Sequence, residues 1–145
     1  SGKYRSPTNR HGTVQPSSMN EPSPCPFCTL PTDSAMIAES ATVFAIFDKF
    51  PVSNGHALVI PTRHVSNYFD LTLQEQMDCL ILLNEVKAIL QKQFNPDGFN
   101  VGINIHAAAG QTVPHAHIHL IPRYQDDVQE PRGGVRGVIP GKQTY

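Results

Sequence analysis

Residues 115–121 read His-Ala-His-Ile-His-Leu-Ile, an alternation of imidazole and apolar side chains that an extended strand sorts onto two faces. Successive strand side chains point in opposite directions, so Ala116, Ile118 and Leu120 share one face, and His115, His117, His119 and Ile121 share the other. The first face needs an apolar layer over it. The second brings imidazoles into a row, because two residues advance by about 6.6 Å along a strand. Three readings of the row follow. It is a solvated sheet face, a pair of His-x-His ligands to a catalytic zinc, or a centre that works on phosphate. The segment before it favours phosphate. Small residues from His106 to Gly110 let backbone N–H groups approach an anion, and Gln111 and Thr112 add donors.

The rest of the chain supplies the covering layer. Thr72 and Glu75 form a capping-box pair, and Cys79, Leu82, Leu83, Val86, Ile89 and Leu90 then recur at helical spacing. Asn95, Pro96, Asp97 and Gly98 end this helix near Phe94. Val43–Phe47 and Ala57–Ile60 are β-favouring runs separated by Pro51, Asn54 and Gly55, which predicts a hairpin. Phe99, Val101, Ile103 and Ile105 alternate as in a half-buried strand, and a last strand is expected over Ala116–Ile121, ended by Pro122. The fold class is therefore α+β, with an antiparallel sheet and one dominant helix. The globular part is expected to begin at Ala41.

Residues 1–24 are rich in Ser, Pro, Asn and Thr and are read as a disordered or vector-derived tail, with Met19 as a candidate natural start and His11 as a solvated residue. Residues 25–145 form the folded domain. The formal net charge of -1 provides no basic field for tracking nucleic acid. No apolar run is long enough to span a membrane, and no secretory leader is visible. Three cysteines, an odd number, argue against a disulfide framework and for a reducing, cytoplasmic setting. Cys79 falls on the apolar stripe of the helix and is read as core. Cys25 and Cys28 form a C-x-x-C among Pro24, Pro26 and Pro31, without the βαβ context of a redox pair.

GQTVPHAHIHLIPR at 110–123 resembles the signature of the histidine triad (HIT) superfamily of nucleotide hydrolases and transferases, and GHALVIPTRH at 55–64 is similar to its second marker. The likeness runs from about Cys25 to Arg123. It implies an antiparallel sheet of about five strands, one long helix and a shorter one, and a homodimer. It implies that His117 attacks the α-phosphorus of a nucleotide and forms a covalent nucleotidyl-histidine. His119 then assists at the phosphate, and His56 completes the cluster. Asp48 matches a ribose-binding position; Asn104, Gly110, Gln111 and Thr112 match phosphate-binding ones. Phe27, Leu30, Phe47 and Leu58 correspond to residues around the base, although core packing is the default for apolar side chains.

In zinc-carrying branches of the family, residues matching Cys25, Cys28, His64 and His115 hold one structural zinc ion. That takes His115 out of the chemistry. The tail lacks the tryptophan-containing ending of phosphoramidase-type members. Arg132 and Arg136 are free to meet extra phosphates or to lie on the surface. The resemblance thus implies a dinucleoside polyphosphate hydrolase, with a nucleoside phosphoramidase and a nucleotide-binding regulatory module as the alternatives.

Overall fold

A computed structural model describes residues 25–30 and 35–145; the expectations for residues 1–24, Met19 and His11 included, lie outside the described residues. Five strands and one long helix make up the regular structure: β1 (Met36–Glu39), β2 (Val43–Phe47), β3 (Ala57–Pro61), α1 (Leu73–Phe94), β4 (Gly98–Gly102) and β5 (Ile118–Arg123). They form one antiparallel sheet in the order β1-β2-β3-β5-β4. The other helical segments among the described residues are 3-10 turns at Tyr68–Asp70, Ala107–Ala109 and Gly134–Val138.

The period of two divides the sheet as the alternation requires. Val43, Ala45, Ala57, Val59, Ile118 and Leu120 face α1 and pack on its buried residues Cys79, Leu82, Val86 and Leu90. Phe44, Ile46, Leu58 and Ile60 face the other way, where Phe27 and Leu30 cover them. One sheet therefore has a dry helical layer on one side and the N-terminal segment on the other.

Helix α1 starts as expected. The Thr72 hydroxyl accepts from the Glu75 N–H, and the Glu75 carboxylate accepts from the Thr72 N–H, both at 3.0 Å. Glu75 also receives a two-pronged hydrogen bond from Arg63, at 2.7–3.2 Å, which with the Thr72 N–H pulls its carboxyl down to about 2. Asn95 ends the helix in the left-handed region, at φ +50°. Burial pushes the Cys79 thiol up to about 11, as suits a core residue.

Four boundaries differ from the sequence reading, the start of β5 at Ile118 instead of Ala116 among them. The folded chain begins before Ala41: β1 pairs along β2 with an irregularity between Met36 and Ala38, a short bulged edge strand whose alternation is too brief to read. β4 ends at Gly102, before Ile103 and Ile105, because its partner β5 begins only at Ile118 and the Ala116 N–H turns aside to the Val65 carbonyl. β5 runs through Pro122 to Arg123. The backbone N and O of one strand residue point to the same side, and the Pro122 carbonyl accepts from Ser53 Oγ at 2.7 Å. The imide N thus faces beyond the β3–β5 pairing, which stops at Leu120, and no ladder bond is lost.

The hairpin loop between β2 and β3 requires glycine at one point. Gly55 has φ +88°, and a Cβ there would lie 2.9 Å from the Phe94 ring.

Thr72→Ala is expected to lower the unfolding free energy by about 1 kcal/mol. Leu90→Ala, fully buried against the sheet, is expected to lower it by about 2–5 kcal/mol. Urea unfolding with an unchanged m-value measures both.

Candidate active site

The face of the sheet away from α1 opens into a cavity of about 670 Å³. Strand parity explains who lines it. Leu58 pairs with His119 across β3 and β5, so His56 and His117, two residues from each, point the same way. Gly102 pairs with His119 on the β4 side, which directs Asn104 there too. Asp48 follows Phe44 and Ile46 in parity from β2. The cavity is lined by the polar residues His56, His117, His119, Asp48, Asn104, Gly110 and Thr112 and by the apolar Phe27, Leu30, Ile46 and Leu58. Phe47, expected beside the base, borders it but turns its ring to the α1 face, 5.9 Å from that of Phe94, and the cavity-facing residue that sequence reasoning missed is its neighbour Ile46.

Hydrogen bonds fix which imidazole nitrogen is which. A carbonyl only accepts, so the 2.8 Å contact between His117 Nδ1 and the His115 carbonyl puts the proton on Nδ1 and leaves the Nε2 lone pair free. His56 Nδ1 accepts the Val52 N–H at 3.2 Å, so its proton sits on Nε2. That Nε2–H meets His119 Nδ1 at 3.0 Å and lies 3.4 Å from Asp48 Oδ2. His119, accepting at Nδ1, carries its own proton on Nε2. The rings of His117 and His119 are 5.0 Å apart, and those of His56 and His119 are 5.3 Å apart.

Burial, then the neighbouring His117 and His56, pushes His119 down to about 4. Burial also lowers His56, although Asp48 opposes it. The arrangement offers a nucleophilic nitrogen beside a neutral hydrogen-bond donor, which is the equipment for attack on an electrophilic centre such as phosphorus.

His115 leaves the row. It precedes β5, is fully buried, and its Nε2–H donates to the Pro61 carbonyl at 2.7 Å. Its Nδ1 lone pair then faces three other ligand atoms: Cys25 Sγ at 3.4 Å, Cys28 Sγ at 3.6 Å and His64 Nδ1 at 3.1 Å; Cys28 Sγ is 3.2 Å from His64 Nδ1. All four lie within 4.8 Å of one another. Tetrahedral bonds of usual zinc length would set two nitrogens about 3.3 Å apart and a nitrogen and sulfur about 3.6 Å apart. The donor set therefore fits a metal ion, and the His115–Pro61 bond supplies the outer-shell partner that such a ligand needs. Asp48, His56 and His119 also converge closely enough to hold a cation.

Gln111 does not line the cavity. Its amide donates to the Ser66 and Val113 carbonyls at 2.8 and 3.0 Å and its Oε1 accepts from the His106 N–H at 2.9 Å, which ties the loop ahead of the histidines. That loop holds His106 at φ +69° and ψ 164°, a conformation that side chains other than glycine's seldom take. Arg132 and Arg136 also stay out of the cavity; each guanidinium lies 4.8 Å from the Tyr145 ring centroid. Sequence reasoning overlooked Lys49, Phe50 and Val52, which border the cavity. Their place in a turn-rich loop gave no periodic signal, and only adjacency to Asp48 pointed to them.

The profile of the HIT domain matches residues 30–126. The chain is 36% identical over 104 residues to the bis(5′-nucleosyl)-tetraphosphatase (asymmetrical) of Schizosaccharomyces pombe, covering 72% of this chain and 57% of that protein. It is 40% identical over 86 residues to the bis(5′-adenosyl)-triphosphatase of Dictyostelium discoideum, covering 59% and 58% respectively. The aligned stretch thus spans little more than half of either enzyme. Among solved structures, it is similar to a zinc-bound histidine triad family protein from Mycobacterium smegmatis, with 30% identity and a TM-score of 0.62 over 67% of this chain and 70% of that one. Fold, histidine cluster and sequence agree that this chain belongs to the HIT domain family.

Proposed function

We propose that the protein is a nucleotide hydrolase that cleaves a dinucleoside polyphosphate, such as diadenosine tetraphosphate, at the α-phosphate through a nucleotidyl-His117 intermediate. The observation that carries this reading is the free Nε2 of His117, exposed to the cavity because the His115 carbonyl holds the other ring proton. Nε2 forms a bond to the α-phosphorus while the P–O bond to the polyphosphate breaks and its electron pair leaves on oxygen. Water then attacks the same phosphorus and gives up one proton to solvent, releasing the nucleoside monophosphate and returning the lone pair to His117. In this reading Asn104, Gly110 and Thr112 border the phosphate, Asp48 the ribose, and Phe27, Leu30, Ile46 and Leu58 the base.

The neutral His119 supports a polyphosphate as leaving group. A terminal phosphate is already largely anionic at neutral pH, with a second pKa of about 6 in phosphomonoesters, so a hydrogen bond from His119 Nε2–H serves it and a strong acid is not required. The names of the S. pombe and D. discoideum relatives point to the same substrate class.

Cys25, Cys28, His64 and His115 are the residues that would hold a structural zinc ion, whose chemistry here is to lock the N-terminal turn to the histidine segment. The free thiols support a reducing, cytoplasmic setting. Among the described residues, no helix is long and apolar enough to cross a membrane. A homodimer is supported by an exposed apolar stripe on α1, formed by Leu73, Met77, Leu80 and Ile81, and by exposed Val101 on edge strand β4.

His117→Ala is expected to reduce hydrolysis of diadenosine tetraphosphate by at least a thousandfold and to abolish trapping of labelled nucleotide on the protein; activity within tenfold of the parent would remove His117 as nucleophile. A substrate panel including diadenosine triphosphate and an adenosine phosphoramidate tests the leaving group. If the phosphoramidate is turned over fastest, the polyphosphate assignment falls and the nucleophile stands.

Metal analysis of Cys25→Ser/Cys28→Ser is expected to show loss of the one zinc per chain that His117→Ala retains. Zinc loss in the His117 variant instead would mean that the histidine row itself binds the metal.

The depressed His119 makes stability pH-dependent. An unfolded histidine takes up its proton near pH 6.5 and the folded one only near pH 4. The unfolded chain therefore binds more protons in between, and stability falls as pH drops from about 6.5 towards 4. Urea midpoints across that range, with His119→Asn flattening the slope, provide the measurement.

A further inference from the structure

The loop between β2 and β3 is tied down at both ends by the active site itself. Asp48 Oδ1 accepts the Phe50 N–H at 2.8 Å and His56 Nδ1 accepts the Val52 N–H at 3.2 Å. The Asp48 N–H donates to the His56 carbonyl at 2.9 Å, Ser53 Oγ to the Pro122 carbonyl at 2.7 Å, and the Tyr124 hydroxyl to the Asn54 carbonyl at 2.7 Å. So anchored, the loop nevertheless presents apolar side chains to water. Phe50 is 79% exposed and Val52 is 72% exposed, and both border the cavity.

A surface aromatic on a mobile tip needs no explanation. One on a loop clamped by catalytic-site atoms does, because its ring is pre-positioned and little further ordering accompanies contact with a ligand. Lys49, between Asp48 and Phe50, also borders the cavity and joins no ion pair among the described residues. The rim therefore combines an aromatic face, an aliphatic side chain and one cation, all next to the groups assigned above to ribose and phosphate.

These features complement a nucleotide that continues past the cleaved bond. The inner wall of Phe27, Leu30, Ile46 and Leu58 accounts for one base. A dinucleoside polyphosphate carries a second, and its phosphate chain is anionic. Resting on the hydrolase reading, we propose that Phe50 is a specificity-determining residue that stacks on the distal base of the substrate, with Val52 beside it and Lys49 meeting the polyphosphate. Stacking on an aromatic ring tolerates any base. Phe50 thus selects for the presence of a second nucleoside and leaves its identity open.

The test compares diadenosine tetraphosphate with adenosine 5′-tetraphosphate, which lacks the distal nucleoside and carries one more ionisable phosphate oxygen, each read as variant against parent on the full chain. Affinities of non-hydrolysable forms are measured alongside turnover, so that binding is read independently of chemistry. Phe50→Ala is expected to weaken the two-base ligand about tenfold, through KM more than kcat, and to leave the one-base ligand within twofold. Phe50→Trp is expected to restore the preference and Phe50→Leu to restore only part of it. Equal losses on both ligands, no loss on either, or a change in the assembly's mass on Phe50→Ala would each overturn the proposal. If the parent turns over neither ligand, the hydrolase reading falls. A Phe50-dependent preference in the binding data would then keep the platform as a property of a two-base binding site, and its absence would remove that as well.

Discussion

The carbonyl of His115 accepts the Nδ1–H of His117 at 2.8 Å, and the rest of the site depends on that bond because His115 is itself held from two other sides. Its Nε2–H donates to the Pro61 carbonyl, at the end of β3, and its Nδ1 faces Cys25, Cys28 and His64. One residue thus links the second strand of the hairpin, the N-terminal turn and the His117 ring. A backbone carbonyl two residues away is a rigid orienter, since it moves only with the chain. Rotating His117 out of position would expose a buried carbonyl and an imidazole N–H without partners, at about 1–3 kcal/mol each.

The sheet behind the site is the second constraint. Placing three nearly buried histidines, His56, His115 and His117, in one layer is costly unless each ring is hydrogen-bonded and uncharged. The hydrogen-bonding condition is met throughout. Among the described residues, no buried side-chain nitrogen or oxygen lacks a partner. His56, His115 and His119 are all pushed towards the neutral form, chiefly by burial. The dry layer made by α1 on the opposite face fixes strand register, and register fixes which histidines face the cavity. A slip of one residue in β5 would send His117 and His119 into the helix interface and Ile118 into the cavity.

How much of this was legible from the residues depended on whether the signal was local. Capping box, helical stripe and His-x-His alternation are written in consecutive positions; α1 appears where the pattern puts it, while the last strand is shifted by two residues, to Ile118–Arg123, with its two-faced alternation kept. β1 was missed because four residues with a bulge carry no usable period. β4 was overextended because alternation continues to Ile105 while the pairing partner does not. The site residues legible through the family likeness mostly converge. Gln111 and Phe47 are the exceptions: the Gln111 amide is used up within the loop, a fact decided by the Ser66 and Val113 carbonyls, of which the first is distant in sequence, and strand parity turns the Phe47 ring to Phe94 on α1. Lys49, Phe50 and Val52 were illegible for the opposite reason. Their importance lies in being held at a rim by the hydrogen bonds that the Phe50 and Val52 N–H groups donate to Asp48 and His56, and turn composition does not encode that.

The N-terminal turn shows why a structural cluster and a binding wall need not be separate devices. Phe27 lies between Cys25 and Cys28, and the turn is closed by the Cys28 and Thr29 N–H groups on the Cys25 carbonyl. The Phe27 ring meets His117 edge-on at 5.1 Å and His115 at 5.8 Å, and it packs on the Phe44, Ile46, Leu58 and Ile60 face. A five-residue turn with so little backbone pairing has no stability of its own. Whatever gathers the two thiols with His64 and His115 also presses Phe27 against the cavity and shields the ring of His117 from water on that side. The four ligand atoms and the apolar wall are therefore two sides of one short turn, and an ion that closed the first would set the shape of the second.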